Sequence, residues 1–151
     1  MCAPLDLDAG LRAAVYDDNY KLGVGMELGA VASVAPRWDL GLHLNYTGFE
    51  SKTMRPDTRE FGGYAAAYFL PAVDQAFSLR VGPHIGYSRI ESNFLDLGAD
   101  AMVVFTVAPG TKFYAAFVPS ILIGDNSHSL FRIGFGVEYG VGGPGPATTG
   151  D

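Results

Sequence analysis

Residues 130–140 read Leu-Phe-Arg-Ile-Gly-Phe-Gly-Val-Glu-Tyr-Gly. Phe131, Ile133, Phe135, Val137 and Tyr139 alternate with Arg132, Gly134, Gly136 and Glu138. A period of two is that of a β-strand with two unlike faces. One face carries large apolar side chains that must meet something oily. The other carries glycine and charge, which do not make an ordinary protein core. A closed barrel with lipid outside and a polar interior satisfies both faces at once.

The rest of the chain repeats this pattern. Strand-like segments are read at roughly 5–16, 20–34, 37–49, 58–70, 76–90, 94–107, 111–123 and 129–140. Turn chemistry separates them at Asp17-Asp18-Asn19, Ala35-Pro36, Glu50 to Asp57, Pro71 to Gln75, Glu91-Ser92-Asn93, Pro109-Gly110 and Gly124 to His128. Short connections impose sequential antiparallel pairing. The expected fold is all-β, an eight-stranded antiparallel up-and-down transmembrane β-barrel over residues 1–140. Residues 141–151, rich in Gly and Pro, read as a flexible periplasmic tail. No run approaches the roughly 18 to 20 apolar residues of a spanning helix, whereas a membrane strand needs only about 9 to 11 residues.

Charge follows the two faces. Asp6, Asp8, Arg12, Lys21, Glu27, Arg37, Asp39, Glu60, Arg80, Asp96, Asp100, Lys112, Arg132 and Glu138 fall on the glycine-bearing faces. Within strands, Arg59 and Arg89 alone fall on the apolar faces, both near strand ends. A charge facing lipid at mid-depth costs about 2–4 kcal/mol and almost nothing near the interface. Outward aromatics form two levels. Trp38, Phe69, Phe77, Phe105, Phe113 and Tyr139 gather at the end carrying the termini, and Tyr46, Phe61, Tyr87 and Phe131 at the other. Mostly aliphatic residues lie between, as two membrane interfaces select.

The pattern over residues 5–140 resembles the small eight-stranded outer-membrane barrels of Gram-negative bacteria, the OmpA barrel domain and OmpX among them. The last strand is similar to the sorting signal read by the outer-membrane insertion machinery, with Arg132, Gly134, Val137 and Tyr139 at its four places. The resemblance implies an integral outer-membrane protein with periplasmic termini, in contact with lipid and lipopolysaccharide. The short loops depart from the long outer loops that carry adhesion and phage-receptor roles in such proteins. A secreted barrel needs a signal peptide, and Met1-Cys2-Ala3-Pro4 contains none, so one is expected to have been removed. Cys2, the one cysteine, permits no intrachain disulfide; it reads as incidental, with an acylated start as an alternative.

The expected interior network is Arg12, Glu27, Asp39, His43, Glu60, Arg80, His84, Asp100 and Arg132. It reads either as a plug of ion pairs or as a charge-gated conduit. His43 and His84 fall on non-neighbouring strands with no carboxylate spacing typical of a metal site, so no metal and no cofactor are expected. Ser127-His128-Ser129 would put His128 on the face opposite both serines, which disfavours a Ser–His lipid hydrolase. Asp6 and Asp8 read as rim residues. Gly23-Val24-Gly25 and Gly134-Phe135-Gly136 lie inside strands and are not phosphate loops. A net charge of −6 and no basic patch exclude nucleic acid as a partner. The expected role is structural or partner-docking, with a periplasmic or membrane protein as partner, and not enzymatic. A narrow pore and a lipid-modifying enzyme are the alternatives. A soluble lipocalin-like carrier would bury its apolar face, and here the opposite faces are too rich in glycine to form a dry cavity.

Overall fold

The computed structural model describes residues 4–16, 22–52, 56–74 and 76–141. Cys2, the turn at 17–19, Lys21 and residues 142–151 of the expected tail lie outside them. Eight strands follow in chain order: β1 (Leu5–Val15), β2 (Gly23–Ala35), β3 (Trp38–Phe49), β4 (Thr58–Val73), β5 (Phe77–Ile90), β6 (Ser92–Ala108), β7 (Thr111–Ile123) and β8 (His128–Val141). Each pairs antiparallel with the next, and β1 pairs with β8, so no sheet edge is left. The closing ladder runs from Leu5↔Val141 to Val15↔Phe131. Val141 therefore belongs to the barrel, one residue beyond the expected boundary.

Strand lengths of 11 to 17 residues exceed the about 9 to 11 that a tilted strand needs to cross a bilayer. Among the described residues no helix is long and apolar enough to do so. The barrel is turned inside out with respect to a soluble protein. Leu11, Leu28, Leu42, Ile85, Phe117 and Ile133 are exposed, while Arg12, Glu27, His43, His84 and Arg132 are buried. Arg59 and Arg89 lie on the exposed face near strand ends.

The rim carrying the termini, here the terminal rim, is tightly turned. Its β2–β3 and β6–β7 connections are two residues long, Pro36-Arg37 and Pro109-Gly110. In both, proline fixes a negative φ and the next residue takes a positive one: 67° at Arg37 and 74° at Gly110. Glycine does this freely and arginine at a steric cost. Arg37 is thus an exposed turn residue rather than an interior one. The register shifts at Ser33/Ala35, Phe69/Ala72 and Thr106/Ala108 all lie at this rim, where bulges end the pairing. The bulge in β4 accommodates Pro71, and the strand continues to Val73 where the sequence suggested a turn. At the opposite rim β6 begins directly after Glu91, a single connecting residue with φ 58°.

Candidate functional site

Alternation sends every second residue of each strand toward the barrel axis, and the register decides which of them meet. The nine residues of the expected network are all buried. They fall into three layers joined to one another.

Arg80 on β5 organises the layer nearest the terminal rim. Its Nε donates to Asp39 Oδ2 at 2.8 Å, its Nη1 pairs with Glu138, and Asp6 lies 3.6 Å from Nη2. Lys112 pairs with Asp6 as well. The Met102 sulfur accepts from Arg80 Nη1 at 3.7 Å.

The middle layer is built on aromatic rings. Tyr64 on β4 lies between the two histidines, its ring stacked on His43 at 4.9 Å and tilted against His84 at 4.8 Å. Its hydroxyl donates to Glu27 Oε2 at 3.2 Å, and Arg12 pairs with the same oxygen at 3.1 Å. The Tyr68 hydroxyl donates to Asp100 Oδ2 at 2.8 Å and lies 3.0 Å from His43 Nε2. His84 bridges to the next layer, with Nδ1 on Asp100 and Nε2 3.2 Å from Asp96.

Arg132 on β8 organises the third layer. Its Nη2 donates to Glu60 Oε1 at 2.7 Å and pairs with Asp96, and its Nη1 donates to Ser120 at 2.8 Å. Ser88 donates to Glu60 Oε1 at 3.1 Å. Beyond these groups, at the opposite rim, Ala14, Tyr16, Phe49, Ile90, Phe94, Leu122 and Leu130 form an apolar cluster. The His128 ring packs 5.4 Å from Tyr16 and 5.6 Å from Phe94. His128 is half-buried beside this cluster, while Ser127 and Ser129 are exposed. A second cluster, including Tyr68, Met102, Val104, Tyr114 and Val118, packs around the middle and terminal layers.

Asp8, Tyr64, Tyr68, Ser88, Asp96, Ser120 and Glu138, outside the expected network, are buried within it. All have the inward parity, which was their only signal in the sequence. Asp8 is not a rim residue, being 5% exposed. The carboxylates that the histidines lacked within their own strands come from neighbours. Asp8, Glu27 and His43 offer ligand atoms all within 4.8 Å of one another.

On the outside, Trp38 pairs with Phe69 and their rings lie 5.4 Å apart. Phe77 and Phe105 pair likewise at 5.7 Å, and Phe105 pairs with Phe113. Tyr139 lies at the same rim opposite Thr111. Tyr46 pairs with Phe61 towards the opposite rim, where Tyr87 and Phe131 also stand. All are exposed except Phe77, which is half-exposed. In β8, Arg132 is buried and Val137 and Tyr139 face outward, with Gly134 between them along the strand.

The same architecture recurs among solved structures. Ail, the attachment invasion locus protein of Yersinia pestis, superposes with a TM-score of 0.63 at 16% identity, over 93% of this chain and 100% of that one. The outer-membrane protein OprG of Pseudomonas aeruginosa gives 0.66 at 9% identity, over 93% and 96%. The fold is that of the small eight-stranded outer-membrane barrels. A de novo designed transmembrane β-barrel gives 0.58 at 14% identity, over 93% and 98%. Since a designed chain adopts the fold, the fold carries no activity with it. No family model and no curated protein matches the sequence.

Proposed function

We propose that this chain is an integral protein of the bacterial outer membrane with a closed lumen, its termini in the periplasm, and a structural or partner-docking role rather than a catalytic one. The observation that carries the reading is the apolar cluster of Tyr16, Phe49, Ile90, Phe94, Leu122 and Leu130 at the opposite rim. A solute path along the axis would have to pass those side chains and then the Arg132 and Arg80 layers. Rings of charge favour passage when water can hydrate them, but here guanidinium and carboxylate groups meet directly. An eight-stranded barrel is just wide enough to be filled in this way.

The exposed aliphatic band and the aromatic levels on either side of it support contact with lipid and lipopolysaccharide. Arg132, Gly134, Val137 and Tyr139 fit the insertion signal read by the assembly machinery. Short connections at the terminal rim leave a periplasmic or membrane partner the strand ends and the following chain to dock on.

Planar-bilayer recording of the detergent-folded protein tests the closed lumen. The expected trace is silent in a membrane that contains inserted protein. Discrete steps whose size changes in Arg80→Gln or Glu27→Gln would overturn the reading in favour of a charge-gated conduit.

A further inference from the structure

Three adjacent strands bring Asp8, Glu27 and His43 together. The register aligns Asp8 on β1 with Gly29 on β2, and Gly29 with His43 on β3. Glu27 lies two residues from Gly29 on the same face of β2. A Cβ at Gly29 would fall 2.5 Å from His43 Nδ1 and 2.6 Å from an Asp8 oxygen. Glycine at that position opens the space into which the two side chains point.

The hydrogen bonds around the cluster fix its orientation. The single proton of the Tyr68 hydroxyl goes to Asp100, so His43 Nε2–H must donate to the Tyr68 oxygen. His43 Nδ1 then faces the carboxylates. Arg12 and Tyr64 hold Glu27 through Oε2, which turns Oε1 toward His43. Neither Asp8 oxygen nor His43 Nδ1 has a hydrogen-bond partner, although the side chains of Asp8 and His43 are 1% and 0% exposed. Such burial without a partner is costly unless a cation compensates it.

His43 Nδ1 lies 3.7 Å from Asp8 Oδ1 and 3.5 Å from Glu27 Oε1. Both separations are long for hydrogen bonds. Two ligand atoms about 2.1 Å from a tetrahedral ion stand roughly 3.4 Å apart, close to both separations from His43 Nδ1. The wider charge balance points the same way. Asp8, Glu27, Asp39, Glu60, Asp96, Asp100 and Glu138 are buried against Arg12, Arg80 and Arg132, with His84 between Asp96 and Asp100 and Lys112 3.9 Å from Glu138. Carboxylates still outnumber these basic groups.

We propose that Asp8, Glu27 and His43 bind one divalent transition-metal ion, with zinc as the probe. One imidazole and two carboxylates suit zinc or its first-row neighbours better than calcium or magnesium, which take oxygen ligands. Tyr68 and Asp100 are positioning residues: they aim the imidazole, as a hydrogen-bonded outer partner does in most histidine–metal sites.

The test uses the full chain folded in detergent, stripped with a chelator and titrated with zinc. Calorimetry and elemental analysis of the washed protein should both give one zinc per chain. His43→Gln and Asp8→Asn should each weaken binding by more than about 100-fold, and Tyr68→Phe by roughly 10- to 100-fold. His128→Gln, which removes the rim histidine, should leave it unchanged. X-ray absorption of the zinc-loaded wild-type barrel needs no variant to fold, and should show a light-atom shell with one imidazole. No zinc above the blank in the folded wild type overturns the proposal. So does binding that survives His43→Gln, or is lost in His128→Gln.

Discussion

Arg132→Met removes the cation shared by two buried carboxylates and carries a magnitude. Arg132 is 1% exposed, and its guanidinium serves Glu60 through Nε at 3.2 Å and Nη2 at 2.7 Å, Ser120 at 2.8 Å, and Asp96. Methionine fills much of the volume but supplies no donor. Glu60 keeps Ser88, and Asp96 keeps His84, so neither carboxylate is stripped of every partner. Both stay buried and lose their strongest compensating charge. Breaking a buried pair from one side costs about 3–5 kcal/mol. With a urea dependence of about 2 kcal/mol per molar, the unfolding midpoint should fall by roughly 1.5–2.5 M. Trp38, the only tryptophan, stands at the terminal rim and reports unfolding by fluorescence in lipid vesicles. Purified components keep the proposed insertion signal out of the measurement. The triple variant Arg132→Met/Glu60→Gln/Asp96→Asn should recover at least half the loss, because it removes the uncompensated charges. A loss below about 1 kcal/mol, the range of solvated surface pairs, would refute the reasoning. So would a triple variant no more stable than the single one.

Leu42→Arg, at mid-strand on the exposed face, should cost about 2–4 kcal/mol in vesicles, against about 0–1 for Leu22→Arg at the opposite rim; equal costs would remove the membrane assignment of that band. Gly134→Ala should fold in vitro like the parent, since a Cβ there meets only Leu11 O at 3.7 Å. Its assembly in cells should nevertheless slow, and normal cellular assembly would detach Gly134 from the insertion signal. Gly25→Ala should fail to refold or lose stability, as its Cβ would fall 2.6 Å from the Thr47 Cα on the paired backbone, which a side-chain rotation cannot relieve. Arg37→Gly, at φ 67°, should raise the urea midpoint slightly, by up to about 1 kcal/mol in stability, and a lower midpoint would show that Arg37 is not strained.

The architecture was legible because its signal is redundant. Period-two alternation recurs in every strand, and each charge on the wrong face would have been costly. Boundaries were less legible at the terminal rim. Pro71 reads as a strand terminator, yet a bulge at Phe69/Ala72 lets β4 continue past it. Arg37 reads as part of a strand because nothing in its side chain announces a positive φ. The interior was legible only as a set of inward residues. Parity assigns Asp8, Glu27 and His43 to the same face of three strands, but whether they meet depends on register, which a tilted, closed barrel fixes globally. A shift of two residues between β1 and β2 would keep every apolar side chain outside and move Asp8 away from Gly29. The hydrophobic pattern alone therefore permits several interiors. What selects one is the fit of polar groups across the axis: Tyr68 between His43 and Asp100, Arg80 between Asp39 and Glu138, and Arg132 between Glu60 and Asp96. In this barrel lipid chooses the faces, and the buried charges choose the register.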